Sequence, residues 1–202
     1  MGFYQDRIVP HLVNLAMRNS RLAPYRERIL SQAEGRVLEI GVGSGENLPL
    51  YPNRANQVLG LEPHPRLLDM ASSKKTCVPT TLFEGSAEAL PLDTSSIDTV
   101  VTTWTLCSIP DVAKALTEMK RVLKPSGQLL FVEHGLSPDE GVRKWQNRLN
   151  PVWKKIAGGC HLNRPIGDLI QSAGFRISRL SQGYMQGPKP MTFTYEGAAR
   201  PA

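Results

Sequence analysis

The sequence predicts an α/β protein built on a parallel, doubly wound sheet. Three observations carry that expectation. From residue 36 onward, short apolar runs rich in Val, Ile and Leu alternate with stretches of helical periodicity, the pattern of repeated βαβ units. The first run, 37–41, passes directly into Gly41, Gly43 and Gly45 at alternate positions, where missing Cβ atoms permit a sharp turn and close approach of backbone N–H groups to a ligand. The next run, Val58–Glu62, ends in a carboxylate 21 residues after Gly41.

The elements follow in order. Phe3, Ile8, Leu12, Leu15 and Ala16 form a helical stripe over residues 3–19, and Pro10 limits where that helix begins. Residues 21–33 read as a second helix, closed by Gly35. Strand one is 37–41, and its helix is expected after Asn47, cut short by Pro49 and Pro52. Strand two is 57–62; Pro63-His-Pro65 is an extended exit, and 66–72 a helix. Strand three, 80–84, runs into the loop Gly85–Leu92, and strand four, 98–103, into Trp104–Pro110. Asp111 caps a helix to Leu123, with Lys120, Arg121 and Lys124 near its C-terminus, where cations suit the dipole. Pro125-Ser-Gly127 turns into strand five, 128–133, which ends at Glu133-His134.

Residues 139–157 break the alternation. Val142, Trp145, Leu149, Val152 or Trp153, and Ile156 recur at helical spacing across Pro151, among Arg143, Lys144, Arg148, Lys154 and Lys155. A basic amphipathic stretch with tryptophans suits an anionic membrane surface; it equally suits an insertion that closes a pocket. A short helix over 165–174 and two strands, 176–180 and 191–196, separated by Pro188 and Pro190, complete the chain.

A Gly-rich turn after the first strand of such a sheet is a nucleotide site. Its spacing, Glu39-x-Gly41-x-Gly43-x-Gly45, is not the G-x-G-x-x-G of a pyrophosphate cradle, and no P-loop is present. Glu62 stands where an acid meets a ribose diol. The site therefore suits an adenosine-like ribose without phosphates. S-adenosyl-L-methionine is such a ligand, and Glu39 is placed to receive its cationic methionine end.

At these residues the sequence resembles the class I S-adenosylmethionine-dependent methyltransferases. Gly85-Ser-Ala-Glu-Ala-Leu-Pro91 resembles the family's Gly-Asp-Ala-Glu-x-Leu-Pro loop, with Ser86 in the Asp position, and Arg121–Leu130 resembles its helix-to-strand connection. The resemblance implies a Rossmann-like seven-stranded sheet whose last strand is antiparallel. It also implies cover helices over residues 1–34 (Tyr4 among them near the cofactor), a cofactor-binding core over 36–136, an acceptor lid over 137–164, and a C-terminal helix and strands over 165–202, all in one domain. Cofactor contacts are expected from Glu39, Gly41, Gly43, Gly45, Asn47, Glu62, Pro63, Ser86, Ala87, Thr102 and Thr103.

The run Trp145 to Arg164, with Trp153, Cys160 and His161, together with Thr105-Leu-Cys107-Ser and Glu133-His134, is similar to the methyltransferase-like seven group, whose animal members methylate thiols. That resemblance implies a small, fairly apolar acceptor, a thiol first, with a quinone, phenol or phospholipid amine as the alternative. From another class, a cofactor-binding protein without chemistry, docking through 142–160, remains open. The animal members carry an N-terminal membrane anchor, and this sequence opens at the cover helices, so none is expected. Trp104, Cys107, Trp153, Cys160 and His161 are expected to line the acceptor pocket, with Trp145 and Trp153 open to a core reading. His134 is the first candidate base, since it ends a strand at the carboxyl edge, and His161 the second; for either, the alternative is a structural hydrogen bond.

Composition narrows the partners. Three cysteines without a C-x-x-C pair argue against a disulfide framework, and Cys107 and Cys160 alone fall short of a zinc or arsenic set, so no metal is expected. The net charge of +6 divides into −2 over residues 1–141 and +8 over 142–202. The basic excess faces an anionic membrane, an acidic substrate or water, and the scarcity of interleaved aromatics argues against nucleic acid. With no secretory segment and no 18-residue apolar run, the expected location is the cytoplasm.

Overall fold

The structure, a computed structural model, describes residues 7–202; Phe3 and Tyr4 lie outside them. Seven strands form one sheet: β1 Gly35–Ile40, β2 Ala55–Glu62, β3 Thr80–Glu84, β4 Ile97–Thr103, β5 Leu123–His134, β6 Phe175–Tyr184 and β7 Phe193–Pro201. Their order is β3-β2-β1-β4-β5-β7-β6. Pairing is parallel from β3 to β5, and β7 runs antiparallel to both β5 and β6. Strand order reverses between β1 and β4, so a crevice opens at their carboxyl ends, where ligands collect in such sheets.

The central strands read as unbroken apolar runs because helices cover both faces. Alternate residues divide between the two cores. Leu38, Ile40, Val100, Leu129 and Phe131 pack with Leu116 and Met119 of α4 (Val112–Val122) and Ile166 and Ile170 of α6 (Ile166–Ser172). Val37, Val101, Leu130 and Val132 pack on the other side with Ile29 and Leu30 of α2 (Ala23–Leu30). Asp111 caps α4, its side chain accepting the Lys114 N–H at 3.0 Å, an interaction typically worth about 1 kcal/mol. Arg121 near the end of α4 pairs with Glu118 and donates to the carbonyls of Leu90 and Leu92, fixing the loop after β3.

Several boundaries differ from expectation. Among the described residues, α1 spans Val9–Met17, ending before the expected residue 19, and α2 stops at Leu30. No α-helix follows Asn47; Leu48–Leu50 make a single 3-10 turn, since Pro49 and Pro52 withhold N–H groups that a longer helix requires. The helix at 65–72 is α3. The Pro125–Gly127 turn is absorbed into β5, where the register jumps from Leu123 opposite Ile97 to Gln128 opposite Thr99. The last two strands are longer than the expected 176–180 and 191–196, because they pair with each other along their whole length; a short helix, α7 (Lys189–Thr192), links them.

The basic stretch is one helix, α5 (Glu140–Ile156), with Pro151 inside it. Its expected apolar stripe does not face inward: Trp145, Val152 and Ile156 are 55%, 62% and 48% exposed. The buried anchor is polar. Gln146 donates to the carbonyls of Gly135 and Pro190 and accepts the Ser137 N–H at 2.9 Å. A fully satisfied amide can replace an apolar contact without an orphaned polar group. Among the described residues, no helix is long and apolar enough to cross a membrane.

Candidate active site

The Gly-rich turn leaves the end of β1 with its carbonyl partner on β2: Gly41 and Val42 donate to Leu61 O. All three glycines have positive φ, but they serve different purposes. A Cβ on Gly41 would lie 2.5 Å from Thr105, and one on Gly45 would press on Ala71 and Lys74. On Gly43 it would meet nothing closer than Gly41 O at 4.0 Å. Gly41 and Gly45 are thus demanded by packing, while Gly43 borders open space.

Two carboxylates frame that space. Glu62 Oε2 accepts the Gly43 N–H at 2.9 Å, and Oε1 accepts the His64 N–H at 3.0 Å. Glu39, at the end of β1, is fully enclosed. Asn47 Nδ2 donates to Glu39 Oε1 at 2.8 Å and to Thr103 Oγ1 at 2.9 Å, and Tyr51 OH donates to Glu39 Oε2 at 2.7 Å. Burial raises the Glu39 carboxyl to about 7 despite these donors and the charge of Arg26. Such a group gains from a cationic ligand. Asn47 Oδ1 is buried without a partner and offers an acceptor for one.

Arg26 of α2 stands on the Trp104 side of the crevice. Its guanidinium lies 5.1 Å from the Trp104 ring centroid and donates to Met17 O, while Nε is buried and unsatisfied. Burial pulls its pKa below the ordinary arginine range, against Glu46 and Glu39. Trp104 takes up positive φ at the end of β4, its N–H bonded to Val132 O at 2.7 Å. The Trp104 ring therefore belongs to the Arg26 side rather than among the cysteines.

Beyond β4 and β5 the lid returns over the strand ends. His161 N and Nδ1 both contact Cys107 O, at 2.9 and 3.1 Å, and Arg164 bonds to Leu106 O. This clamp brings Cys160 Sγ to 3.3 Å from His134 Nε2 and 3.7 Å from Cys107 Sγ, and Trp153 Nε1 donates to the same sulfur at 3.4 Å. The cluster polarises the two thiols in opposite directions. Its neighbours Cys107, His134 and Trp153 hold Cys160 down to about 4 against burial. The hydrogen bond to Cys160 and burial push Cys107 well up. Burial opposes a charged His134, yet the contact with Cys160 carries its pKa above the ordinary value. Beneath it Glu133, raised to about 7 by burial, accepts the Thr105 N–H at 3.0 Å.

The expected cofactor residues Glu39, Gly41, Gly43, Asn47, Glu62 and Thr103 thus meet around one crevice, with Thr102 buried beside Glu133. Ser86 is exposed, its Oγ taken by the Glu88 N–H, and Ala87 is buried next to it. Pro63 is exposed on the way out of β2. Of the expected acceptor residues, Cys107, Cys160 and Trp153 gather at His134, whereas His161 is committed to the Cys107 carbonyl. The expectation that the cysteines fall short of a metal-binding set needs correction. His134 joins Cys107 and Cys160, their ligand atoms all within 4.8 Å of one another; the third donor sits on a different strand, where cysteine spacing gives no sign of it. Arg26 and Tyr51 went unread in the sequence, Arg26 because it is one of several charges on a short helix, Tyr51 because a helix was expected there.

Comparison with known proteins agrees with this architecture. Residues 38–131 match the methyltransferase domain family. With the seven-stranded sheet and the glycine turn, this stretch resembles a class I methyltransferase domain, whose cofactor is S-adenosyl-L-methionine. A S-adenosylmethionine-dependent methyltransferase from Methanosarcina mazei superposes with a TM-score of 0.69 at 21% identity, over 88% of this chain and 97% of that one. Within the class, the chain resembles the thiol S-methyltransferases. It is 36% identical over 146 residues to thiol S-methyltransferase TMT1B of Rattus norvegicus (69% of this chain, 59% of that protein), and 34% identical over 154 residues to its Homo sapiens counterpart (72% and 63%). It spans about three fifths of the length of those relatives.

The residues present fit the cofactor. Gly43 leaves room for a ligand against the backbone, Glu39 lacks a cation in contact, and Glu62 retains lone pairs for a diol.

Proposed function

We propose that the chain transfers a methyl group from S-adenosylmethionine to a small thiol. The observation that carries this reading is the cluster of buried Cys107 and His134 with half-buried Cys160 at the carboxyl ends of β4 and β5, one strand over from the cofactor crevice. The His134 ring nitrogen and the Trp153 N–H, at 3.3 and 3.4 Å from the Cys160 sulfur, make a pocket suited to sulfur. The similarity to thiol S-methyltransferases supports the same acceptor.

Bound S-adenosylmethionine supplies a methyl already activated on a sulfonium. The chain's own residues position and desolvate. Glu39 and Asn47 receive the ammonium, Arg26 the carboxylate, and Glu62 the ribose hydroxyls. Val42 and Gly43 lie along the backbone wall. Trp153 and the turn 157–161 roof the strand ends, which excludes water and holds an acceptor in line. An ordinary thiol with pKa near 8.5 is a few per cent ionised at neutral pH, so a strong base is dispensable. His134 Nε2 lies 3.3 Å from the Cys160 sulfur, so it is engaged there rather than free to take the acceptor's proton.

The test is transfer from labelled S-adenosylmethionine to alkyl thiols, hydroxyphenols and phosphatidylethanolamine vesicles in parallel. Turnover on thiols is expected. Turnover confined to phenols or vesicles would reassign the acceptor, and cofactor binding without turnover on any of them would favour a non-catalytic module. We also propose that α5 touches anionic membrane surfaces, because exposed Trp145, Val152 and Ile156 stand among basic residues, with Arg148 5.7 Å from the Trp145 ring centroid. Salt-insensitive absence of binding to anionic vesicles would remove that contact.

A further inference from the structure

We propose that Cys107, His134 and Cys160 form a three-ligand site for a soft divalent cation of the zinc class. Its fourth position is open to the acceptor sulfur. The cation-binding part stands on geometry alone; the role of the fourth position rests on the thiol reading above.

The geometry matches the chemistry. Zinc takes thiolate sulfur at about 2.3 Å and imidazole nitrogen at about 2.0–2.1 Å in a tetrahedron. Two such sulfurs then stand about 3.8 Å apart, and a sulfur and a nitrogen about 3.6 Å. The structure has 3.7 Å between Cys107 Sγ and Cys160 Sγ, and 3.3 Å between Cys160 Sγ and His134 Nε2. Among the described residues this is the one group of three such side chains within metal-binding reach of one another. Soft sulfur and imidazole donors select zinc-class ions over calcium or magnesium.

Charge and support point the same way. Two thiolates and a divalent cation sum to zero, which suits a buried pocket better than unbalanced ions. Both sulfur ligands have an outer partner of the kind that orients metal ligands. Trp153 Nε1 reaches Cys160 Sγ at 3.4 Å, and Ser108 Oγ lies 3.5 Å from Cys107 Sγ. His134 is held in the β5–β7 ladder opposite Thr194. The adjacent imidazole of His161, a further donor next in sequence to Cys160, has its Nδ1 at Cys107 O instead. Three protein ligands with a vacant fourth position define a catalytic rather than a structural zinc site.

In the reaction the acceptor thiol would bind at that position and lose its proton to solvent. Its sulfur then attacks the methyl carbon. The new sulfur–carbon bond forms as the carbon–sulfonium bond breaks, and the departing electron pair leaves the cofactor sulfur as a neutral thioether.

The test begins with the full chain, kept reduced by a phosphine and stripped with chelator, then titrated with cobalt(II). The expected result is one equivalent bound with a thiolate-to-cobalt charge-transfer band and strong tetrahedral d–d bands, displaced by zinc. Cys107→Ala and Cys160→Ala should each weaken binding by more than about 100-fold, with Cys77→Ala unchanged. S-adenosylmethionine affinity within about twofold of wild type would show that the variants fold. If they do not fold, the wild-type chain still decides: one equivalent of zinc should protect Cys107 and Cys160, but not exposed Cys77, from alkylation. No stoichiometric band, or a band that survives both substitutions, overturns the site. A small alkyl thiol should shift the charge-transfer band of the cobalt-loaded chain; an unshifted band overturns the open position. Undiminished thiol methylation by the stripped chain overturns the catalytic role of the ion and leaves the thiol reading standing. A bound ion without thiol turnover does the reverse.

Discussion

The two halves of the crevice are built by different means. On the β1–β2 side, Glu39, Gly43, Asn47 and Glu62 lie within 24 positions of one another, and the charged groups among them are carboxylates. On the β4–β5 side, Cys107, His134 and Cys160 come from three stretches spread over 54 positions and are soft donors. In the proposed function the first half receives a cation and a diol through local backbone geometry. The second is a sulfur environment that exists only while the turn 157–161 lies against the loop after β4. A local half can keep its shape when the lid loosens, whereas the assembled half cannot. Cofactor binding and acceptor turnover should therefore separate under mutation.

The strongest separation is expected from Gly43→Val. Its side chain would enter the open space beside Gly41 O, so cofactor affinity should fall more than about 100-fold by calorimetry. The positive-φ strain itself costs only about 1–2 kcal/mol of stability. Gly41→Ala should invert the pattern, because its Cβ strikes Thr105 and thermal stability falls first. If both variants lose only stability, the open space is not a ligand site.

Cys160→Ala tests the other half. It removes the sulfur shared by Cys107, His134 and Trp153. Thiol turnover should drop at least about tenfold while cofactor affinity stays within about twofold. A parallel loss of both would mean the halves are not separable.

Arg26→Gln should weaken the cofactor by about tenfold, the scale of one charge-assisted hydrogen bond. The loss should shrink for a cofactor analogue lacking the carboxylate. An equal loss with that analogue would confine Arg26 to packing on Trp104.

Glu39 yields a pH test. Its folded pKa of about 7 is raised above the ordinary 4.5. The cofactor-free fold therefore holds an extra proton, and the associated stability is fully present below pH 4.5 and lost as pH rises through about 7. A cationic ligand favours the ionised carboxylate, so binding at pH 6.5 should release a proton. Calorimetry in buffers of different ionisation enthalpy should record that release in the wild type and not in Glu39→Gln. Equal proton release in both would place the ammonium elsewhere.

The smallest effect is expected at the amino end of the sheet, far from the crevice. Asp98 pairs with Lys124 at 2.7 Å and accepts the Arg36 N–H, and Lys124 with the backbone donor holds its carboxyl below the usual range despite partial burial. Asp98→Asn should cost at most about 1 kcal/mol in chemical denaturation and leave cofactor affinity alone. A measurable change in affinity would show that the two ends of the sheet are coupled.

Sequence by itself determined the α/β class, the strands from β1 to β5, the glycine turn and its two acids. Each is a local signal: an apolar run, a missing Cβ, a fixed distance from turn to carboxylate. It also marked Cys107, His134 and Cys160 one by one. Tertiary structure alone decided that these three meet, because their convergence depends on the His161 and Arg164 clamp across more than 50 positions. It decided too that α5 is anchored by Gln146 and turns Trp145 outward, and that Tyr51 and Arg26 close on Glu39 and Trp104. Periodicity reports which residues share a face; which face is buried depends on the partners that arrive, and those are set by packing between distant parts of the chain.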